Sequence, residues 1–436
     1  MTISRRDLMK TASFASLGAA AGAAIPSAGA RAAVPDAQQN APALPPAFDS
    51  LKPLGDRIKP ITTEEYQQRV AHAQKLMSDS NPSFAALFIT PGTSMVYFTG
   101  IHWWPSERVL ALLIPRRGEP FLVSPAFEEG RLREQLRWPI EIRIWQEDDN
   151  PFEVAAKVLV DRGLTQGQIG VEETTRYTFF DRMRHAAPSS LVFVSGDPIT
   201  IGCRAQKSEN ELYLMRLACS ATFDVYKALF ASLSEGMTQH AVGNMLSQGF
   251  ARMGLHGDAL VLIGPSAALP HGTREEQSLR EGLGILIDGG CVIEGYPADI
   301  SRTGVLGKPT AQLQRAFEIV RAAQDAALAA AVAGHECGSV DAAARKVITD
   351  AGFGPDYKYF THRLGHGIGL DEHEYPYLVR GNKTILKPNM TFSNEPGIYV
   401  VGQYGLRCED DMVISESGPA QLLTPGFQPS LEKPIA

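Results

Sequence analysis

Asp288, Asp299, His366, Glu395 and Glu409 lie in or beside short apolar runs in the last third of a 436-residue chain. A fold that gathers them must return several strands to one place. Four carboxylates around one point repel each other by on the order of several kcal/mol unless cations or protons neutralise them. Two divalent ions would supply that counter-charge, and the ligand set would then be carboxylate-rich with one imidazole.

Each position supports the pattern locally. Asp288 ends the run Gly284-Ile285-Leu286-Ile287, and Asp299 follows eleven positions later (299 − 288 = 11), after a turn with Gly295 and Pro297 that can bring the chain back. His366 sits in Leu364-Gly365-His366-Gly367-Ile368-Gly369, where flanking glycines permit an unusual backbone and an accessible imidazole; His362 and His373 bracket it. Glu395 follows Thr391-Phe392-Ser393-Asn394 and precedes Pro396-Gly397. Glu409 follows Arg407 by two, so strand alternation places both side chains on one face. Taken singly, these residues have plainer readings: a turn-forming Asp, a structural His, an exposed acidic strand.

The net charge of −7 gives no reason to propose nucleic acid or an anionic membrane as a partner, and a small or peptide substrate fits better. The start of the chain, Ser4-Arg5-Arg6-Asp7-Leu8-Met9-Lys10 followed by an Ala/Gly-rich apolar stretch, reads as a twin-arginine export signal over residues 1–33. Cleavage after Ala30 or Ala32 would give a periplasmic or otherwise exported protein with no membrane association after processing. Cys203, Cys219, Cys291, Cys337 and Cys408 show no CxxC spacing, and their odd number argues against a complete disulfide framework.

Residues 34–60 read as a linker or extended arm, with order expected from about Thr62. A helix over 63–78 with Thr63 as its cap, strands at Ala85–Ile89, Met95–Phe98 and Val109–Ile114, and a helix over 151–162 predict an α/β domain over 61–203. From 204 to 436 the pattern changes. Ser208-Glu209-Asn210-Glu211 forms a capping box before a helix to about Phe230, and helices over 238–253, 310–333 and 339–351 alternate with strands at 259–263, 284–288, 304–306, 390–394 and 407–415. The fold class is therefore α+β for the second domain, preceded by a smaller α/β domain.

Asp288-Gly289-Gly290 with Gly295-Tyr296-Pro297-Ala298-Asp299-Ile300-Ser301-Arg302-Thr303, then Gly365-His366-Gly367-Ile368-Gly369, Asn394-Glu395-Pro396-Gly397-Ile398-Tyr399 and Arg407-Cys408-Glu409-Asp410-Asp411, resemble the signature blocks of one family. It is the Xaa-Pro peptidase (prolidase and aminopeptidase P) branch of the pita-bread metallopeptidases, M24. The resemblance implies a pita-bread catalytic domain behind a creatinase-like N-terminal domain. It also implies metal ligation by Asp288, Asp299, His366, Glu395 and Glu409, with Mn²⁺ the first choice and Co²⁺, Fe²⁺ or Zn²⁺ the alternatives. A bridging hydroxide would attack the bond before proline, and Glu395 would shuttle its proton. His271 would approach the substrate from the far side, His373 would hydrogen-bond the carbonyl, His362 would wall the proline pocket, and Arg407 would orient ligands. Arg380 is a candidate anchor for a dipeptide carboxylate; Trp103 and Trp104 are candidates for lining the entrance across a homodimer. The substrates implied are Xaa-Pro dipeptides or short Xaa-Pro peptides. The alternative on the same fold is a metal-dependent hydrolase of a non-peptide C–N bond, as in creatinase- and ectoine-hydrolase-like relatives, or a lyase.

Overall fold

Phe84–Ile89 is apolar at every position and buried at every position, because this strand (β1) lies inside a sheet covered on both faces. The computed structural model describes residues 43–435. Five more strands complete the sheet: β2 (Ala111–Pro115), β3 (Phe121–Pro125), β4 (Glu141–Trp145), β5 (Gly167–Val171) and β6 (Leu191–Ser195), in the order β4-β3-β2-β1-β5-β6. Leu87 and Ile89 face a core shared with α1 (Thr63–Asp79), α2 (Thr93–Thr99) and, beyond α3 (Glu129–Gln135), α6 (Asp197–Ala205). Ala86 and Phe88 face the other core, under α4 (Pro151–Asp161) and α5 (Tyr177–Ala186). This is the α/β domain expected over 61–203.

Two local expectations are corrected. Met95–Phe98 is not a strand but the body of α2, which ends at Gly100 in the left-handed region (φ 71°). A four-residue apolar run suits either period, and the bracketing glycines leave room for two helical turns. The cap of α1 is Thr62, whose hydroxyl accepts from the Glu65 N–H while the Glu65 carboxylate accepts from the Thr62 N–H at 2.8 Å. Thr63 is the first helical residue.

The second domain holds two sheets. In the first, β8 (Gly284–Ile293) lies between β7 (His256–Ile263) and β10 (Ile300–Val305), with the short β9 (Tyr296–Pro297) folding back on β8. Helices α7 (Glu209–Phe230) and α8 (Gln239–Arg252) bury their apolar faces against it. After α9 (Ala311–Ala330) and α10 (Cys337–Asp350), the second sheet runs β12-β11-β13-β16-β17, from β11 (Gly365–Gly367), β12 (Glu374–Leu378), β13 (Thr391–Asn394), β16 (Asp410–Val413) and β17 (Gln421–Leu422). The hairpin β14 (Gly397–Val400) and β15 (Tyr404–Arg407) joins the core that α9 and α10 share with this sheet. The Ser208 and Glu211 capping box is present as expected. All five cysteines are buried and free.

Order begins well before Thr62. From Ala43 the chain is an arm laid over the second domain, with Phe48, Leu51 and Leu54 buried in the core of α7 and α8. Their spacing of three presents one apolar stripe, and Gly249 makes room for it: a Cβ there would lie 2.9 Å from Phe48 Cε1. The export signal expected over 1–33 lies outside the described residues. Among those described, no helix is long and apolar enough to cross a membrane.

A buried ion pair joins the domains. Arg69 on α1 meets Glu211 on α7 at 3.1 Å, donates to Tyr296 Oη at 2.9 Å and to the Tyr97 carbonyl at 2.9 Å, while Tyr296 donates to Glu211 at 2.7 Å. Removing one partner would strand the other charge without water. Glu211→Ala is expected to lower unfolding free energy by about 3–5 kcal/mol in denaturant titration, whereas the paired change Arg69→Met with Glu211→Leu should recover most of it. A single-mutant loss under about 0.5 kcal/mol, as for an exposed pair, would contradict this.

Candidate metal centre

The antiparallel register of β8 and β10 sets Asp288 directly opposite Ser301. The strand does not stop at Asp288, as the apolar run suggested, but continues to Ile293, so the carboxylate stands on mid-sheet backbone rather than in a turn. Asp299 enters between β9 and β10, its N–H donating to Asp411 Oδ2 at 3.1 Å. The second sheet supplies His366 from β11, Glu395 just past β13 and Glu409 just before β16. Arg407 and Glu409 do not share one strand, since β15 ends at Arg407 and β16 begins at Asp410. Their side chains nevertheless meet, Arg407 Nε lying 3.5 Å from Glu409 Oε2.

All five residues converge. Donor atoms of Asp288, Asp299 and Glu409, and of His366, Glu395 and Glu409, form groups within 4.8 Å; His373 joins Asp299 and His366 in a third. His366 Nε2 lies 3.5 Å from Asp299 Oδ2 and 3.4 Å from Glu395 Oε1. Its Nδ1 lies 3.1 Å from the Gly367 carbonyl, which holds a proton on Nδ1 and turns Nε2 to the cluster. The ring is 2% exposed, not accessible as the flanking glycines suggested. Those glycines serve close packing: a Cβ on Gly365 would lie 2.0 Å from the Ser393 carbonyl oxygen, and one on Gly367 2.6 Å from that of Glu374.

Ser301 shows the charge problem most clearly. Its hydroxyl lies 2.6 Å from Asp288 Oδ1 and 2.7 Å from Glu409 Oε2, and accepts from Arg407 Nε at 2.8 Å. One hydroxyl proton cannot serve two carboxylates, so the second contact needs a proton on a carboxyl. Burial and repulsion from Asp299, Glu395 and Asp288 drive the Glu409 carboxyl well above its usual range. Burial likewise lifts Glu395 to about 7, against the pull of His366 and Arg407. Burial would lower His366, but Asp299 and Glu395 overcome it and raise the imidazolium to about 9. Asp288 alone moves down, because Arg407 and Ser301 outweigh its burial. The donor set fits divalent metal: oxygen and imidazole, buried, and convergent.

Around the donors, Arg407 bonds Asp288 and donates to Tyr399 Oη at 3.0 Å. Tyr399 in turn lies 2.8 Å from His362 Nε2, whose Nδ1 lies 2.8 Å from the Arg363 carbonyl. That pattern suits a neutral ring, and burial beside Arg407 lowers His362 to about 3. His373 stacks on His366 with ring centres 3.7 Å apart; burial and His366 lower it to about 4.

Sequence reasoning missed the supports behind the donors. Arg302, fully buried, pairs with Asp410 at 2.5 Å and donates to the Glu409 carbonyl at 2.7 Å. Gln324 of α9 donates to Asp410 at 2.9 Å and to the Asn394 carbonyl at 3.0 Å. These bonds hold the backbone on either side of Glu395 and Glu409. Arg302 and Asp410 were visible inside the quoted motifs, but nothing local marks Gln324.

The remaining candidates are not drawn to the cluster. His271 is exposed on the loop after β7, with no hydrogen bond to the donors. Arg380, proposed as a carboxylate anchor, is on an exposed turn, paired with Asp356 at 2.8 Å and set over the Tyr357 ring. Trp103 lies against the Arg131 guanidinium at 4.8 Å, and Trp104 is exposed, both on the first domain.

An α/β domain docked on a two-sheet α+β domain that encloses such a cluster is the architecture of the pita-bread metalloenzymes. Residues 213–416 match Metallopeptidase family M24 and residues 69–206 match the Creatinase/Prolidase N-terminal domain. An Xaa-Pro dipeptidase from Lactobacillus delbrueckii subsp. lactis is 33% identical over 340 residues, 76% of this chain and 90% of that protein. The crystal structure of dipeptidase PepE from Mycobacterium ulcerans superposes with a TM-score of 0.78 at 31% identity, covering 84% of this chain and 98% of that one. Prolidase from Pyrococcus furiosus gives a TM-score of 0.67 at 27% identity over 81% of this chain and 99% of that one. The chain belongs to the M24 metallopeptidase family, with a creatinase-like N-terminal domain.

Because His366 and Glu395 retain protons to about 9 and about 7 in the metal-free protein, divalent cations must displace them. Affinity for Mn²⁺ is expected to rise as pH increases from 6 to 9. Calorimetric titration in buffers of different ionisation enthalpy should show proton release; an affinity flat across that range would contradict the balance described.

Proposed function

We propose that this enzyme hydrolyses the peptide bond preceding proline in Xaa-Pro dipeptides or short Xaa-Pro peptides, using two divalent cations, Mn²⁺ first among them. The observation that carries the reading is the complete convergent set of Asp288, Asp299, His366, Glu395 and Glu409, in a chain alike over most of its length to an Xaa-Pro dipeptidase. Asp288, Asp299 and Glu409 would hold one ion and His366, Glu395 and Glu409 the other. Such ions acidify water and polarise an amide carbonyl.

The protein's own groups supply the rest. Glu395, beside the donors of both groups, would take a proton from the attacking water and return it to the leaving amine. Arg407 holds Asp288 and, through Tyr399, the His362 ring, so one guanidinium orients both a ligand and the pocket wall. His373 stacks on His366 at the edge of the cluster, where a substrate carbonyl can reach it. The bond before proline lacks an N–H, and a site that acts on the carbonyl alone does not need one.

The same proposal places the enzyme outside the cytoplasm, exported on the strength of Arg5-Arg6 and the apolar stretch behind them. It also makes it a homodimer in which Trp104, 59% exposed, contributes to a partner's entrance. Sedimentation of an inactive, fully folded Trp104→Ala monomer would support that arrangement; a fully active wild-type monomer would end it.

Chelator-stripped protein is expected to cleave Ala-Pro and Gly-Pro only after Mn²⁺ or Co²⁺ is restored. Glu395→Gln should lower kcat by about 10²–10⁴-fold and weaken retention of the ion it helps to hold. The rate ratio between Ala-Pro and a longer Xaa-Pro peptide would separate dipeptidase from aminopeptidase. Bound metal with no cleavage of any of these would favour hydrolysis of a non-peptide C–N bond instead.

A further inference from the structure

A cavity of about 300 Å³ opens between the two domains on the far side of His373. Its floor is the C-terminal edge of the first sheet: Thr90 follows β1 and Glu172 follows β5, where ligands of parallel sheets commonly sit. Its roof is the β11–β12 loop with Asp371 and His373, and Glu374 at the start of β12. His373 belongs to both places, lining the cavity and stacking on His366 at 3.7 Å.

The lining is charged and unbalanced, with five carboxylates against three guanidinium groups. Arg204 is spent on Asp371 and Glu374, each at 2.5 Å, and Arg108 on Glu147 at 3.0 Å. Arg176 donates to the Ser106 carbonyl at 2.6 Å. Asp197 accepts from Ser195 Oγ at 2.7 Å, and Glu173 is exposed to solvent. Glu172 is half-buried, has no ion pair among the described residues, and lies beside the Ser94 hydroxyl. Burial pushes its carboxyl up to about 7, against a weaker pull from Ser94 and Arg204. Ser94, 1% exposed and also lining the cavity, has a hydroxyl with no hydrogen-bond partner. A carboxylate lacking a cation and a buried hydroxyl lacking a partner thus face one polar space.

We infer that this cavity receives an alkylammonium group, held by the Glu172 carboxylate and the Ser94 hydroxyl. The group comes either from a basic side chain of the substrate, reaching past His373, or from a separate small amine. The first source rests on the reading of the enzyme as an Xaa-Pro peptidase and would make Lys-Pro a favoured substrate; the second does not depend on it.

The metal-loaded enzyme should be tested with Lys-Pro and norleucine-Pro, which differ by the ammonium group. If the substrate is the source, Glu172→Gln raises KM for Lys-Pro by about tenfold or more and leaves norleucine-Pro unchanged. If a separate amine is the source, n-butylammonium raises the melting temperature of the wild type and not of Glu172→Gln, with the two substrates affected alike. Ser94→Ala, which removes the second contact without touching the charge, should weaken the same readout and serves if the Gln variant does not fold. Either selective effect supports the receptor. Failure of both variants to change both the substrate ratio and the amine-induced shift overturns it. Absence of all Xaa-Pro cleavage would instead count against the peptidase reading, leaving the amine measurement to decide the cavity.

Discussion

Arg407 is the positive charge on which the centre of the second domain depends. It lies against Asp288, within 3.5 Å of Glu409 and 4.0 Å of Glu395, where water is scarce. One guanidinium cannot balance four carboxylates. The excess raises the proton affinity of Glu409, Glu395 and His366, and divalent cations binding there would have to displace those protons. The local weakness is thus the source of the chemistry: repulsion that burial makes expensive is relieved when cations bind.

Such a cluster works only if its backbone cannot relax away from it. Arg302 and Asp410, both fully buried, pin the segment leading to Glu409. Gln324 reaches from α9 to tie that segment to Asn394, and so to Glu395. Asp411 accepts the Asp299 N–H and the Cys219 thiol, so the first sheet is fastened to the second behind the donors. The Arg69 and Glu211 pair extends this stiffness to the first domain through Tyr296, one turn away from Asp299.

The donors were legible because each is marked by its neighbours: glycines that let strands approach, a proline that ends one, a run of apolar residues that fixes a face. The long helix α7 was legible for a similar reason, since Ser208 and Glu211 form its capping box within four residues. What failed was non-local or too short. Met95–Phe98 offered too few residues to tell one period from the other. Phe48, Leu51 and Leu54 looked like a loose arm because the space beside Gly249 that receives them lies two hundred positions away (249 − 48 = 201). The glycines around His366 admit neighbouring backbone rather than free the imidazole, and only the packed strands show which.

The central claim is that the five donors hold a pair of divalent cations. Anomalous scattering from crystals of the Mn²⁺-loaded protein, collected at the manganese edge, tests it most directly. Two peaks are expected, one among Asp288, Asp299 and Glu409 and the other among His366, Glu395 and Glu409. A single peak, or strong peaks away from these side chains, would contradict the account.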